Sequence, residues 1–454
     1  MQARNRPPEA SEERTGRCCP TVRPRPPRAS GLEQAAMARS KARASAPFGA
    51  LAYPDYRRFA VSLLLTSIGA QMVQTAIAWQ IYELTGSALQ LGLTGVARAV
   101  PHIVLSLVGG VIADRANRLR MIQIGQVGNG LTVLALALLT LWGQVAVWHL
   151  YLVLSTNAAL TAVTQPGRTA LIPMLIPPEK LVNGIALNST IQQSSQIVGP
   201  ALAGVMIGAL GVGATYGANA AVYLLAVVVL FGIQTSLVLP AVKERPWTSL
   251  VEGLAFVQRT PVILSLLALD LSAMVFGGYR VLLPIFAERL GVGAVGFGWL
   301  SAAPGVGSVI GAAMIMSLGN MRYKGLYTVF GILGYAVALA MVAVAPWFWL
   351  ALVASVLLGA LNSIQTVPRN TAILMASPPS LRGRVEAFRS MLAGGGPPVG
   401  FMLAGGLATV FGPVVAVVSG AVACVAFVSA IGLARRELHD PDLGKAPAPE
   451  RGES

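Results

Sequence analysis

The chain has 454 residues, of which 55% are hydrophobic and only 11% charged, and its formal net charge is +15. Soluble domains carry roughly 25% charged residues, so a water-facing globule is excluded for most of this length, and the mean hydropathy of +0.67 agrees. The basic residues stand in short clusters between apolar runs, which suits an anionic lipid leaflet and argues against nucleic acid as a partner.

Residues 1–47 are rich in Pro and Arg, lack the apolar core of a secretory signal and read as a disordered basic cytoplasmic tail, with Met37 an alternative start. Cys18 and Cys19 lie in that tail and Cys424 in a late apolar run, a pattern that gives no disulfide framework and no metal site. No cofactor is expected either.

A membrane-spanning helix needs about 20 predominantly apolar residues. The first six such runs cover roughly 59–83, 89–112, 120–142, 146–165, 187–210 and 214–239. The second six cover roughly 262–287, 295–318, 324–345, 347–367, 388–410 and 412–434. None shows the period-two alternation of a barrel strand. The expected fold is all-α, with twelve transmembrane helices in two pseudo-symmetric six-helix bundles.

The bundles are residues 48–239 and 262–435. Between them, 240–261 reads as a cytoplasmic linker in which Trp247, Leu250, Leu254, Phe256 and Val257 suggest a short interfacial helix, a mere connector being the alternative. Residues 436–454 form a second cytoplasmic tail. Alternate inter-span segments concentrate the basic residues, among them Arg118, Arg120, Lys180, Lys324, Arg382, Arg384 and Arg435. The positive-inside rule therefore puts both termini in the cytoplasm.

The halves repeat one another. Arg168 and Arg369 stand 201 positions apart (369 − 168), and the same offset pairs Pro177-Pro178 with Pro378-Pro379, Gly199 with Gly400, Gly204 with Gly405 and Gly211 with Gly412. Parallel six-helix repeats place a site at the midplane between halves that rock about it. Duplication in a membrane protein that carries nothing is the alternative.

Two motifs bear on such rocking. Between the second and third spans stands Gly110-Val-Ile-Ala-Asp114-Arg115-Ala-Asn117-Arg118-Leu-Arg120. Gly110 permits close helix approach, Asp114 suits the positive end of a helix, and Arg115, Arg118 and Arg120 lie at headgroup level. Asn117 tolerates a left-handed turn. In the fifth span, Gly199-Pro200-Ala-Leu-Ala-Gly204 combines a proline kink with small packing residues.

Inside the spans, Gln71 and Gln74 share one helix face, as do Gln192 and Gln196; Gln193, Asn362 and Gln365 add further polar groups. These are candidates for contact with a small molecule, or for plain helix-to-helix hydrogen bonds. Arg98, Asp270 and Arg280 are ionisable at membrane depth and require a partner or a cavity. On a continuous helix Asp270 and Arg280 differ by about 80° and about 15 Å, so they do not pair. Asp270 is either a protonatable coupling group or a structural carboxylate; Arg280 and Arg98 sit nearer the outer side, where they suit an anion or a headgroup.

The loop sequence at the second-to-third junction resembles motif A of the major facilitator superfamily, and the fifth-span sequence resembles the antiporter motif C. Tyr53-Pro54-Asp55-Tyr56-Arg57-Arg58-Phe59, Tyr82-Glu83-Leu84-Thr85-Gly86-Ser87, Gln165-Pro166-Gly167-Arg168 and Leu381-Arg382-Gly383-Arg384-Val385 bring the resemblance to the bacterial branch of enterobactin exporters and macrolide efflux proteins. The resemblance implies a monomeric, multi-pass protein of the bacterial inner membrane that exports drug- or siderophore-like molecules in exchange for protons. It casts Arg168, Arg369, Arg382 and Arg384 as a cytoplasmic loop motif. The second-half counterpart of motif A, Leu318-Gly319-Asn320-Met321-Arg322, lacks the acidic residue. No phosphate-binding Gly-x-x-x-x-Gly-Lys-Ser/Thr loop and no hydrolase motif occurs, so an ATP-driven pump or an enzyme is not expected. An importer or lipid carrier of the same fold, and a non-transporting scaffold or sensor, are the alternatives.

Overall fold

The computed structural model describes residues 49–115, 117–233, 256–319, 323–378, 381–435 and 439, with backbone alone for 107–115 and 387. Nearly all of them are helical, and they hold no strand. The helices belong to the second of two compact units, Ala50–Ser454.

Helix α1 is Pro54–Thr85, with proline at its first turn, where the missing N–H costs nothing, and Asp55 facing the positive end. It ends at Gly86, whose φ of 59° lets its N–H return to the Tyr82 carbonyl. Then follow α2, Ala88–Arg115, α3, Arg118–Leu141, and α4, Val147–Leu175. One helical run, Leu181–Phe231, is broken at Gly211 (φ 81°, ψ 171°), so α5 is 181–210 and α6 is 212–231. The seventh span, α7, is Pro261–Arg289. Its two helical pieces, Pro261–Phe276 and Leu283–Arg289, are joined by a 3-10 turn at Gly278–Leu282. The remainder are α8, Gly293–Leu318, α9, Lys324–Val344, α10, Phe348–Ala376, α11, Arg382–Phe411, and α12, Pro413–Ala434.

Ten of the described helical segments are long and apolar enough to cross a membrane. One of those, Pro178–Phe231, contains both α5 and α6. With the 29-residue α4 the described residues hold the twelve expected spans. Large apolar side chains remain exposed along them, such as Met316, Leu433, Val410 and Phe231. Water would not tolerate so wide an apolar surface; lipid does.

In the first half α1 packs on the α5–α6 run, α2 on α4, and α3 on both α4 and that run. In the second half α10 packs on α8 and α9, α12 on α9, and α11 on α7 and α12. The halves meet chiefly where α2 crosses α11 and where α5 crosses α8.

Several expectations change. Spans four and ten run on to Leu175 and Ala376, through Pro166, Pro173 and Pro368. Neighbouring helices re-satisfy the backbone groups that an internal proline frees, so it need not end a membrane helix. Arg168 and Arg369 therefore lie inside helices rather than in loops. The seventh span is not one helix, so the 80° and 15 Å relation between Asp270 and Arg280 does not apply, although no ion pair joins them among the described residues. Asn117 is not left-handed: at φ −65° it is the N-cap of α3, accepting from the N–H groups of Leu119 and Arg120. The tail 1–47, the tail 436–454 apart from position 439, and the linker up to 255 lie outside the described residues; 256–259 is helical with Val257 fully buried.

Candidate functional site

The crossings between halves are built from glycines. A Cβ placed on Gly204 of α5 would stand 2.7 Å from the Cα of Gly298 in α8, and one on Gly405 of α11 would stand 2.7 Å from the Cα of Gly92 in α2. Gly204 and Gly405 are the repeat pair, while Gly92 and Gly298 are a second pair at an offset of 206 (298 − 92). The repeat thus makes one contact twice, about an approximate twofold axis.

Both crossings lie towards the odd-turn face, the side carrying the α1–α2, α5–α6, α7–α8 and α11–α12 turns. There Trp79 of α1 stacks on Phe297 of α8 with ring centroids 5.8 Å apart. Gly199 packs within its own half instead, where a Cβ would come 2.4 Å from the Cβ of Gln71.

Below this seal lie two cavities that share Arg280 and Phe401. The upper one, about 100 Å³, is lined by Gln71 and Gln74 of α1, Arg98 of α2, Pro200 of α5 and Arg280 of the α7 turn. The lower one, about 350 Å³, is lined by Gln193 and Gln196 of α5, Asp270 of α7, and Asn362, Gln365 and Arg369 of α10. Almost every polar candidate from the spans thus reaches one of two adjoining spaces. Gln192 does not: it is exposed and lines neither, and Gln193 takes its place, bonding to Gln196 at 2.8 Å.

The partner of Asp270 is Arg369. Their side chains meet at 2.8 Å, with Asp270 4% and Arg369 2% exposed. Arg369 also donates to Gln365 at 2.6 Å, and Gln365 to Asn362 at 3.1 Å. These three residues of α10 occupy one face at spacings of three and four. The pair is not saturated, because Asp270 Oδ2 and Arg369 Nε are buried without hydrogen-bond partners. Arg389 also lines the lower cavity and is held by Glu386.

Sequence reasoning missed this pairing because Arg369 follows Pro368 and read as a loop residue. The signal was present in the 362, 365, 369 spacing. The repeat counterpart Arg168 is half-buried in α4, with its Nε unpartnered.

At the even-turn face Arg118 donates to the Ala170 carbonyl of α4 at 3.3 Å and Arg120 is exposed. The backbone of Gly110, Asp114 and Arg115 is helical, and their side chains lie outside the described set. Arg382 donates to the Ser377 carbonyl at 3.2 Å at the end of α10, and Arg384 lies in the first turn of α11, which Arg382 begins.

Residues 45–445 match the family model described as "Transmembrane secretion effector". The chain belongs to the transmembrane secretion effector family. It is a multi-pass membrane transporter of the major facilitator type. Enterobactin exporter EntS of Shigella boydii serotype 18 is 25% identical over 362 residues, 80% of this chain and 87% of the relative. EntS of Escherichia coli O139:H28 is 24% identical over the same shares.

Solved transporters share the fold at lower identity. A bacterial homologue of the human lysosomal transporter Spinster, inward-facing and occupied, superposes with a TM-score of 0.67 at 16% identity, covering 87% of this chain and 99% of that one. The nucleoside transporter NupG gives 0.67 at 13%, covering 84% and 98%. These neighbours carry the fold of the transporter and leave its cargo to its own residues.

Proposed function

We propose that the protein exports small amphipathic, drug- or siderophore-like molecules across the bacterial inner membrane by alternating access, in exchange for protons. The observation that carries this reading is a polar cavity between two repeats, sealed on one side by two symmetry-related glycine crossings. A seal made of small residues opens by rigid tilting of the halves, without unpacking either core.

The basic residues of the even-turn face, among them Arg118, Arg120, Arg382 and Arg435, make that face cytoplasmic by the positive-inside rule. Both termini are then cytoplasmic, and the conformation is closed to the outside. The motif A residues Gly110, Asp114 and Arg115 with Arg118 and Arg120 work the cytoplasmic gate, while Gly204 closes the outer one and Gly199, next to Pro200, holds α5 against α1 so that Gly204 is presented to α8. Export direction rests on the exporter relatives. The transporter acts as a monomer, since each chain supplies both halves of the cavity.

Asp270 carries the coupling proton. When Asp270 is ionised it satisfies Arg369; on protonation the pair loosens, and Arg369 and the Gln365–Asn362 chain become available to cargo. Proton and cargo then compete for one site, as antiport requires.

The test is accumulation of a panel of dyes, macrolides and siderophores in a bacterial host stripped of its own exporters, with and without a protonophore. Lower accumulation of at least one compound, reversed by the protonophore, is expected. An unchanged panel with the protein present in the membrane contradicts the proposal.

A further inference from the structure

The upper cavity is charged in one sense only. Arg98 comes from the first half and Arg280 from the second, and both line it together with Gln71 and Gln74. Its lining contains no carboxylate, and neither arginine has an ion-pair partner among the described residues. Asp270, the acidic residue lining the lower cavity, is engaged by Arg369.

An arginine stays protonated in a protein, so this charge is not relieved by loss of a proton. Arg98 is half-buried without an ion pair, and unpaired charge away from bulk water is costly and persists where a ligand meets it, whereas Arg280 is exposed and reaches both cavities. The planar guanidinium fork matches the two oxygens of a carboxylate or sulfonate. Two forks from opposite halves, flanked by amide donors, make a clamp that a neutral molecule leaves unsatisfied.

The geometry points to Arg98 and Arg280 as a clamp for an organic anionic group, so that the cargo is amphipathic with an acidic end lodged in the upper cavity beneath the Trp79–Phe297 seal. The inference rests on the proposed transport pathway between the halves. It assigns the remainder of the cargo to the larger lower cavity, which begins at the shared residues Arg280 and Phe401 and offers Met274, Leu358 and Tyr335 to its apolar part beside the polar Gln196 and Asn362. An anion bridging the two arginines also ties the halves together at that level, so binding favours the closed outer seal.

The test uses purified full-length protein in nanodiscs of phosphatidylcholine alone, so that no anionic headgroup competes. Binding of radiolabelled benzoate is measured and compared with that of benzamide, which has the same shape and no charge. The expected result is about tenfold tighter binding of benzoate, a difference of about 1.4 kcal/mol. Arg98→Gln and Arg280→Gln should each abolish the discrimination, Arg98→Lys should keep part of it, and Arg435→Gln should not change it.

Size-exclusion profiles and thermal unfolding confirm that each variant is folded. Equal binding of the two probes, or discrimination that survives both Gln variants, overturns the clamp. The two proposals fail separately. Export of neutral compounds unaffected by Arg98→Gln removes the clamp and leaves the exporter, whereas intact anion discrimination without any export does the reverse.

Discussion

At the scale of single residues, the Asp270–Arg369 pair dominates the account. Removing one partner of a buried pair leaves the other charge uncompensated and costs about 3–5 kcal/mol. Asp270→Asn should therefore lower stability by that order in thermal or denaturant unfolding, and should make transport indifferent to the pH gradient. Asp270→Asn combined with Arg369→Gln should recover most of the stability without restoring pH-gradient dependence. A single variant as stable as the parent, or one with an unchanged response to the gradient, contradicts the coupling role.

Asn117 makes a smaller case: Asn117→Ala removes the N-cap of α3 and should cost about 1 kcal/mol. The same cap bonds tie the start of α3 to the motif A segment. A loss well below that in thermal unfolding would mean that the cap carries little of the loop.

Both residues were visible in the sequence, but their conformations were not. Asp270 stood out because charge is rare at membrane depth. Its partner was hidden because Pro368 reads as a stop, and only tertiary packing shows that α10 continues to Ala376. Asn117 read as a substitute for glycine, whereas its side-chain oxygen is used as a cap. Gln192 was chosen over Gln193 on spacing from Gln196 alone, and which face of α5 meets the cavity depends on its packing against α8.

At the scale of elements, the repeated crossings are where the halves meet. The repeat was legible as an offset of 201, and the structure gives physical content to its members. Gly211 and Gly412 both have positive φ, 81° and 83°, and break α5 from α6 and α11 from α12. Gly204 and Gly405 make the crossings. The break in α7 was not legible, because Gly277-Gly278 inside an apolar run suits a packed helix as well as a turn.

Adding a side chain at a crossing puts its Cβ 2.7 Å from backbone that cannot yield. Overpacking of this kind costs about 1–3 kcal/mol, and here it can be relieved by parting the halves. Gly204→Val and Gly405→Val should each shift the gate towards an outward-open form, by an order of magnitude or so in the equilibrium. Distances between spin labels at the odd-turn ends of α5 and α8 check this. Gly199→Val, which clashes inside one half, should lower stability without that shift. Unchanged label distances in both crossing variants would show that these glycines pack helices without forming a seal.

At the scale of the molecule, composition and hydropathy were enough to give the class and the spans, because the bilayer leaves few other solutions, and residue identities at a fixed offset gave the repeat. They did not give the conformation. Which ends of the halves meet depends on an equilibrium between packings that differ by a few kcal/mol, and no local pattern encodes that. The central claim is that the lower cavity faces the cytoplasm in the resting state and faces outward only during turnover.

Thr366 lines that cavity. The decisive measurement is the reaction of Thr366→Cys, in a background with Cys18, Cys19 and Cys424 replaced, with a membrane-impermeant thiol reagent in inside-out and right-side-out vesicles. The account predicts fast labelling in resting inside-out vesicles and none in resting right-side-out vesicles, with labelling from outside appearing once Gly204→Val is added. Labelling from outside at rest, or from neither side under any condition, would contradict it.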